Sequence, residues 1–329
     1  MNTARPFIID SHQDIAWHTR KHGRRLDAPA GDGWMVTLGE LLREGIMLSL
    51  VSLFAEHIGP RERRKQELQL QLEYYKSLPA MFPGVVFQIT SRDELAGLHT
   101  RFNVGKAVWG FVMTLEGADL IDTPDELLAL HEKGLRIAGL TWNETNQWAG
   151  GARQLGGMRD KGVEFLATMR RLGIILDVAH INQRSFSDEM KHWDGPVCAT
   201  HGNPFSLCRH PRNYTDVQLA ELRARGAVMG TLLYNGLLAE RWKEDGPPVK
   251  LGEVCAHIEH LLEHLGPEGV GIGSDFDGGP LPAHTPEGLD TVADLAKIGE
   301  AMQARGHSAQ AAANVLGENW YRFLMRHLP

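Results

Sequence analysis

The feature that most restricts the fold is an alternation. Apolar runs short enough to be strands recur at residues 7–11, 46–54, 84–90, 107–115, 136–141, 173–179, 196–200, 227–233 and 269–274. Polar stretches with helical periodicity stand between most of them, at 61–78, 124–133, 160–172, 215–225, 251–265 and 289–303. Strand then helix, repeated about eight times with no Pro/Gly/Ser-rich linker between halves, predicts an α/β fold, a single (β/α)8 TIM-type barrel domain over residues 1–329. The alternative is a doubly wound open sheet. Nine runs for eight barrel positions leave one outside, and 84–90 is the run to exclude because no candidate ligand follows it. In the tail, Trp320, Phe323 and Leu324 stand at helical spacing and predict a last helix packed on the barrel wall.

Composition narrows the function classes. A chain of 329 residues with 43% hydrophobic residues, 23% charged residues and a formal net charge of −7 has ample material for a core and is not built for nucleic acid. The basic cluster Arg61, Arg63, Arg64 and Lys65 leads into a helix-periodic stretch and reads as a solvated helix face. Cys198, Cys208 and Cys255 form no CxxC pair, so neither a disulfide framework nor a thiolate metal knot is expected, and a reducing compartment fits. The first residues lack the apolar core of a secretory signal, and the stretch from Gly45 to Glu56 is too short to cross a bilayer as a helix. The expectation is a cytoplasmic protein whose partner is a small molecule rather than a nucleic acid or a membrane.

Chemistry collects at the carboxyl ends of the runs. The first ends in His12 and Asp14, two positions apart and so on one face of a strand. Later runs end in Glu116, in His180, in His201, and in Asp275 and Asp277. In a barrel these ends share one face, where barrel enzymes build their sites. So many ionisable groups in one small space need a positive charge among them, and a divalent metal supplies it. Histidine and carboxylate donors without thiolates suit zinc, with cobalt, manganese or iron also compatible. Three histidines together with carboxylates exceed the usual three ligands of one catalytic zinc, and a glutamate can bridge, so two divalent ions about 3.5–4 Å apart are expected. Any one of the 16 histidines is unremarkable; the combination carries the signal. His257, His260 and His264, at helical spacing, read as a solvated or interface face, and Asp277 as a loop or cap residue.

These motifs resemble the renal (membrane) dipeptidase family, the M19 peptidases among the amidohydrolase-like barrels, from residue 7 to about 325. "DSHQDIAW" is similar to the family's D-x-H-x-D opening, "LEGAD" to its E-G segment and "ILDVAHINQRSF" to its D-x-[AS]-H strand. "ATHGNPFSLCRHPRN" matches its histidine and R-N segment, and "GIGSDFDGG" its G-x-D-F-D-G. The resemblance implies that His12, Asp14 and Glu116 hold one zinc, that Glu116, His180 and His201 hold a second, and that a water shared by the pair supplies the attacking hydroxide. It implies that Asp275 shuttles the proton, that Arg212 binds the substrate's terminal carboxylate, and that Tyr234 lies near the substrate. The implied reaction is hydrolysis of a dipeptide or a similar small carboxylate-bearing amide, by a protein that forms a homodimer. Other readings are an amidohydrolase on a non-peptide amide, or a metal-binding barrel without catalysis.

One position departs from the pattern. The family's fourth strand reads leucine-threonine-histidine, that histidine helping to hold the substrate carbonyl, whereas here the run is "GLTWNETNQWAGG" with Trp142 in its place. An indole donates one hydrogen bond and accepts none. Trp142 is therefore either a packing residue or an aromatic wall that reshapes the substrate pocket.

Overall fold

Nine short runs become nine parallel strands: β1 Ile8–Gln13, β2 Ile46–Leu53, β3 Val86–Gln88, β4 Trp109–Leu115, β5 Leu135–Ala138, β6 Ile175–Asp177, β7 Val197–Gly202, β8 Met229–Leu232 and β9 Val270–Gly273. The structure is a computed structural model that describes residues 7–329 apart from 32, 245 and 279–281. Residues 1–6 of the expected domain, and Gly279 at the end of "GIGSDFDGG", thus lie outside the described residues.

The sheet closes on itself and so excludes the doubly wound alternative. β1 pairs with β2 on one side and β9 on the other, and β2 skips β3 to pair with β4 from Leu48↔Gly110 to Leu53↔Leu115. Pairings from β4 through β5 to β9 complete a ring of eight. β3 lies outside it, touching only the start of β4 through Val86↔Trp109 to Gln88↔Phe111 before β5 takes over that edge at Met113. The run 84–90 is thus the one outside the barrel, as its lack of a following ligand suggested.

Strands covered on both sides read as mostly apolar runs, and β2 and β4 are buried from end to end. The wall helices are one-sided. Arg61–Met81 buries Leu68, Leu72, Tyr75 and Leu78 while Arg61 and Lys65 pair with Asp122 at the surface, so the basic cluster is solvated there, except that Arg64 turns its Nε and Nη2 away from solvent. The closing helix Asn319–His327 buries Trp320, Phe323 and Leu324, and the Asn319 amide donates to the carbonyls of Pro267 (3.0 Å) and Val270 (2.8 Å), which fastens the tail to β9. Among the described residues no helix is long and apolar enough to cross a membrane. Because all strands run the same way around a closed ring, the residues that follow them converge on one mouth.

Candidate metal centre

The mouth is pinned by backbone before any donor is presented. Buried Asp10 accepts hydrogen bonds from the Ser274 amide (2.8 Å), the Ser274 hydroxyl and the Gln13 side chain (2.7 Å), tying β1 to the residue after β9. The Asp275 amide then donates to the His12 carbonyl at 3.1 Å, and the Asp14 amide to the Phe276 carbonyl at 3.4 Å. His12, Asp14 and Asp275 are thereby fixed relative to one another. Asp275 (φ 64°) and His180 (φ 60°), with Asp277 (φ 61°), are the non-glycine positions with left-handed backbone among the described residues. Such conformations persist where the surroundings over-determine them, as they do at this mouth.

Glu116 follows β4 directly, its amide bonded to the Leu53 carbonyl at 3.1 Å. The chain turns sharply at Gly117 (φ 84°), where a Cβ would collide with the Trp142 amide and Asp119, so glycine is required there. The turn sets the Glu116 carboxylate between two groups. Its Oε2 lies 3.4 Å from His12 Nε2, while its Oε1 lies 2.8 Å from His180 Nε2 and 3.6 Å from His201 Nε2. Asp14 Oδ2 is 3.6 Å, and Asp275 Oδ1 3.8 Å, from His12 Nε2.

Outer partners decide which nitrogen each imidazole offers. His180 Nδ1 stands 2.9 Å from Asn143 Oδ1, an acceptor only, so Nδ1 carries the proton and Nε2 presents its lone pair inward. The Thr200 hydroxyl donates to Asp177 Oδ2 at 2.6 Å, which leaves the Thr200 oxygen to accept from His201 Nδ1 at 3.0 Å. The two inward Nε2 atoms are 2.8 Å apart. Among the described residues, neither nitrogen of buried His12 has a hydrogen-bond partner. Room is kept at the same point, since a Cβ on Gly278 would collide with Asp14 Oδ2 and Asp275 Oδ1.

Charge follows from this geometry. Burial, reinforced by Arg212, pushes His180 down to about 3, and burial with His12 pushes His201 well below the usual histidine range, so both are neutral donors. Burial would lower His12 as well, but Glu116 and Asp14 outweigh it and hold it well above that range. Burial would raise Glu116, yet His12 and His180 hold it below the ordinary carboxylate range. Burial, with Glu116 adding to it, lifts Asp14 to about 6, and burial lifts Asp275 well above its ordinary value against the pull of His12. Neutral His180 and His201, an ionised Glu116 beside them and a His12 Nε2 facing the carboxylates of Glu116, Asp14 and Asp275 are a donor set that fits divalent ions. His12, Asp14 and Glu116 form one compact group and Glu116, His180 and His201 another, the donor atoms of each lying within 4.8 Å of one another.

A cavity of about 400 Å³ opens above these donors. Arg212, 5% exposed, lines it; its Nη2 donates to the His201 carbonyl at 3.0 Å, and its Nε and Nη1 have no hydrogen-bond partner among the described residues. Trp142 forms a wall, its ring 5.1 Å from Phe54 and 5.9 Å from His180 by centroids. Tyr234 lines the cavity as well, packed edge-on against Trp242 at 5.7 Å.

The structure thus brings His12, Asp14, Glu116, His180, His201, Asp275, Arg212, Trp142 and Tyr234 to one mouth. Asp277 stays outside it, 2.9 Å from His18 Nδ1 and bonded by the Met35 amide, as a loop tie. Sequence reasoning missed the supporting roles of Asp10, Asn143, Asp177 and Thr200, and it missed Arg153, His210 and His284 in the cavity wall. Asp10 and Asp177 sit inside the D-x-H and D-x-x-H motifs, which was the available signal. The solvated face expected for the histidines of the Leu251–Leu265 helix is corrected at His257, which is 3% exposed and faces the Leu238 carbonyl at 2.9 Å.

Known proteins agree with this picture. The sequence matches the family described as membrane dipeptidase (peptidase family M19) over residues 3–327. It is 32% identical over 226 residues, 66% of this chain and 82% of the relative, to a Klebsiella pneumoniae protein described as uncharacterized, in the pqqA 5′ region. It is 28% identical over 237 residues, 70% of this chain and 55% of the relative, to the Aspergillus oryzae dipeptidase aclJ. Among solved structures, dipeptidase AC, an M19 metallopeptidase, superposes with a TM-score of 0.88 at 25% identity, over 98% of this chain and 99% of that one. A Rhodobacter sphaeroides metallopeptidase liganded with a phosphinate mimic of L-Ala-D-Ala shares the fold, with a TM-score of 0.87 at 24% identity over 98% and 99% of the two chains. The chain belongs to the membrane dipeptidase family, peptidase family M19, and is a metallopeptidase of the dipeptidase class.

Proposed function

We propose that the mouth holds two divalent ions, most simply zinc, one by His12, Asp14 and Glu116 and the other by Glu116, His180 and His201, and that it hydrolyses the amide bond of a dipeptide. The observation that carries this reading is the split of the Glu116 carboxylate, one oxygen toward His12 and the other toward the His180/His201 pair. When bound, such a pair lowers the pKa of water to near 7 and polarises the scissile carbonyl.

The remaining work falls to side chains. Asp275, lifted by burial and partly open to the cavity, accepts the proton of the attacking water and returns it to the leaving amine. Arg212 offers its two unpartnered donors to the substrate's terminal carboxylate, which selects short substrates with a free C-terminus. Buried unpaired donors and a proton carrier beside the metal ligands argue against a barrel without catalysis. Trp142 and Tyr234 set the width of the cavity, and the indole supports a narrower substrate range than histidine would allow. That same substitution supports a second reading, hydrolysis of a non-peptide amide bearing a carboxylate. Three buried free cysteines favour a reducing compartment, and we place the protein in the cytoplasm on that basis.

The test is a panel of L,L and L,D dipeptides, their C-terminal amides and N-acyl amino acids, offered to zinc-reconstituted protein. Hydrolysis of the free-acid dipeptides supports the main reading. Turnover confined to non-dipeptide N-acyl amino acids supports the second, and none at all with metal bound contradicts both.

A further inference from the structure

A second group of metal-type donors stands on the barrel wall, away from the mouth. His260 and His264 are one turn apart on the Leu251–Leu265 helix, and Asp216 opens the neighbouring Asp216–Ala224 helix, which packs against it. His260 Nε2 lies 2.9 Å and His264 Nε2 3.9 Å from the same oxygen, Asp216 Oδ1. None of the three residues lines the cavity at the mouth.

His264 is turned for binding, whereas His260 Nε2 donates its proton to Asp216 Oδ1 at 2.9 Å, and a bound ion would take the place of that proton. His264 Nδ1 donates to the His260 carbonyl at 2.9 Å, so its Nε2 carries the lone pair and is turned toward Asp216. The two imidazoles stack, with centroids 4.2 Å apart and planes 17° apart, so their Nε2 edges face the same side. The Ser206 hydroxyl lies 2.9 Å from both Asp216 oxygens and orients the carboxylate. Three donor atoms from three residues lie within 4.8 Å of one another. A tetrahedral ion with bonds of about 2.0–2.1 Å holds its ligands roughly 3.3–3.4 Å apart, a spacing between the 2.9 and 3.9 Å observed here. Small side-chain rotations close the difference, because all three residues are only partly buried.

We propose that His260, His264 and Asp216 form a peripheral site for a late first-row divalent cation, zinc, nickel or copper, which clips the two helices together and leaves one coordination position to water. Two imidazoles with one carboxylate select these ions over magnesium and calcium, which prefer oxygen donors alone. The site is structural: it joins the crossover after β7 to the one before β9 and touches no part of the cavity.

The test uses the full chain with its mouth already loaded with zinc. Parent, His264→Gln and His260→Gln proteins are equilibrated with zinc at matched free concentration, and bound metal is counted by elemental analysis. The parent is expected to hold about one equivalent more than either variant, with dipeptide kcat/KM equal in all three. Its apparent Tm is expected to rise by a few degrees on zinc addition, a shift absent in the variants. Equal metal content in parent and variants overturns the proposal. So does loss of hydrolysis together with the ion, since the missing metal would then have come from the mouth.

Discussion

The barrel mouth and the Leu251–Leu265 helix both concentrate histidine, and they do it in opposite ways. At the mouth His12 comes from β1, His180 from the turn after β6 and His201 from the neighbouring β7, and closure of the ring brings the first to the other two. On the helix His257, His260 and His264 are neighbours in sequence, yet the backbone sends one into the core and two to the surface. Each mouth histidine is buried, and two of them have a fixed outer partner, Asn143 or Thr200, that decides which nitrogen faces inward. The helix pair keeps part of its surface in water and shares one carboxylate. Proximity along the chain is therefore a poor guide to a reactive centre. What makes one here is convergence of strand ends, desolvation and tautomer control together.

The sharpest way to break the contrast is at Glu116. Glu116→Gln removes the one charge that both histidine groups share, so the expected result is loss of bound metal at the mouth and of measurable hydrolysis, seen by elemental analysis and dipeptide assay. Retention of two mouth ions would show that the two groups bind independently. Next in size is Asp275→Asn, which should keep the metals and lower kcat on the order of 10²–10⁴-fold, because only the proton carrier is lost. If that variant loses metal instead, Asp275 is itself a ligand.

Arg212→Ala should weaken kcat/KM for free-acid substrates by roughly 2–5 kcal/mol while C-terminally amidated analogues change little. Equal losses on both would assign Arg212 to folding, since it also bonds the His201 carbonyl.

A smaller effect separates His257 from its helix neighbours. Burial holds it down to about 4, although its bond to the Leu238 carbonyl pulls the other way, so the folded state prefers the neutral ring. Its contribution is complete above about pH 6.5 and is lost as pH falls from there toward 4, because the unfolded chain takes up the proton first. Denaturant unfolding of parent and His257→Gln at pH 7 and pH 5 should show the stability gap between them shrinking by about 2 kcal/mol at the lower pH. A gap that does not move would mean His257 is charged in the folded protein.

Much of this was legible in the sequence because barrel strands are short, apolar and punctuated by the residues that do chemistry. His12, Asp14, Glu116, His180, His201 and Asp275 each follow or end an apolar run, and a closed parallel ring brings such positions together. The jump from β2 to β4 was harder to see, since pairing order is set by packing in space; only the lack of a ligand after 84–90 hinted at it. Asn143 and Thr200 escaped because a hydrogen-bonding partner for an imidazole has no periodicity, and Arg153 and His284 because one lies on a loop and the other in a single 3-10 turn. Trp142 reads in the sequence as either wall or packing, and its place in the cavity lining beside Phe54 and His180 makes it a wall.

The claim that two ions share Glu116 is tested most directly by titrating metal-free His264→Gln protein with zinc while following hydrolysis of one dipeptide. The account predicts a rate that climbs until two equivalents are bound and then levels. Full activity at a single equivalent, or none at any loading, would contradict it.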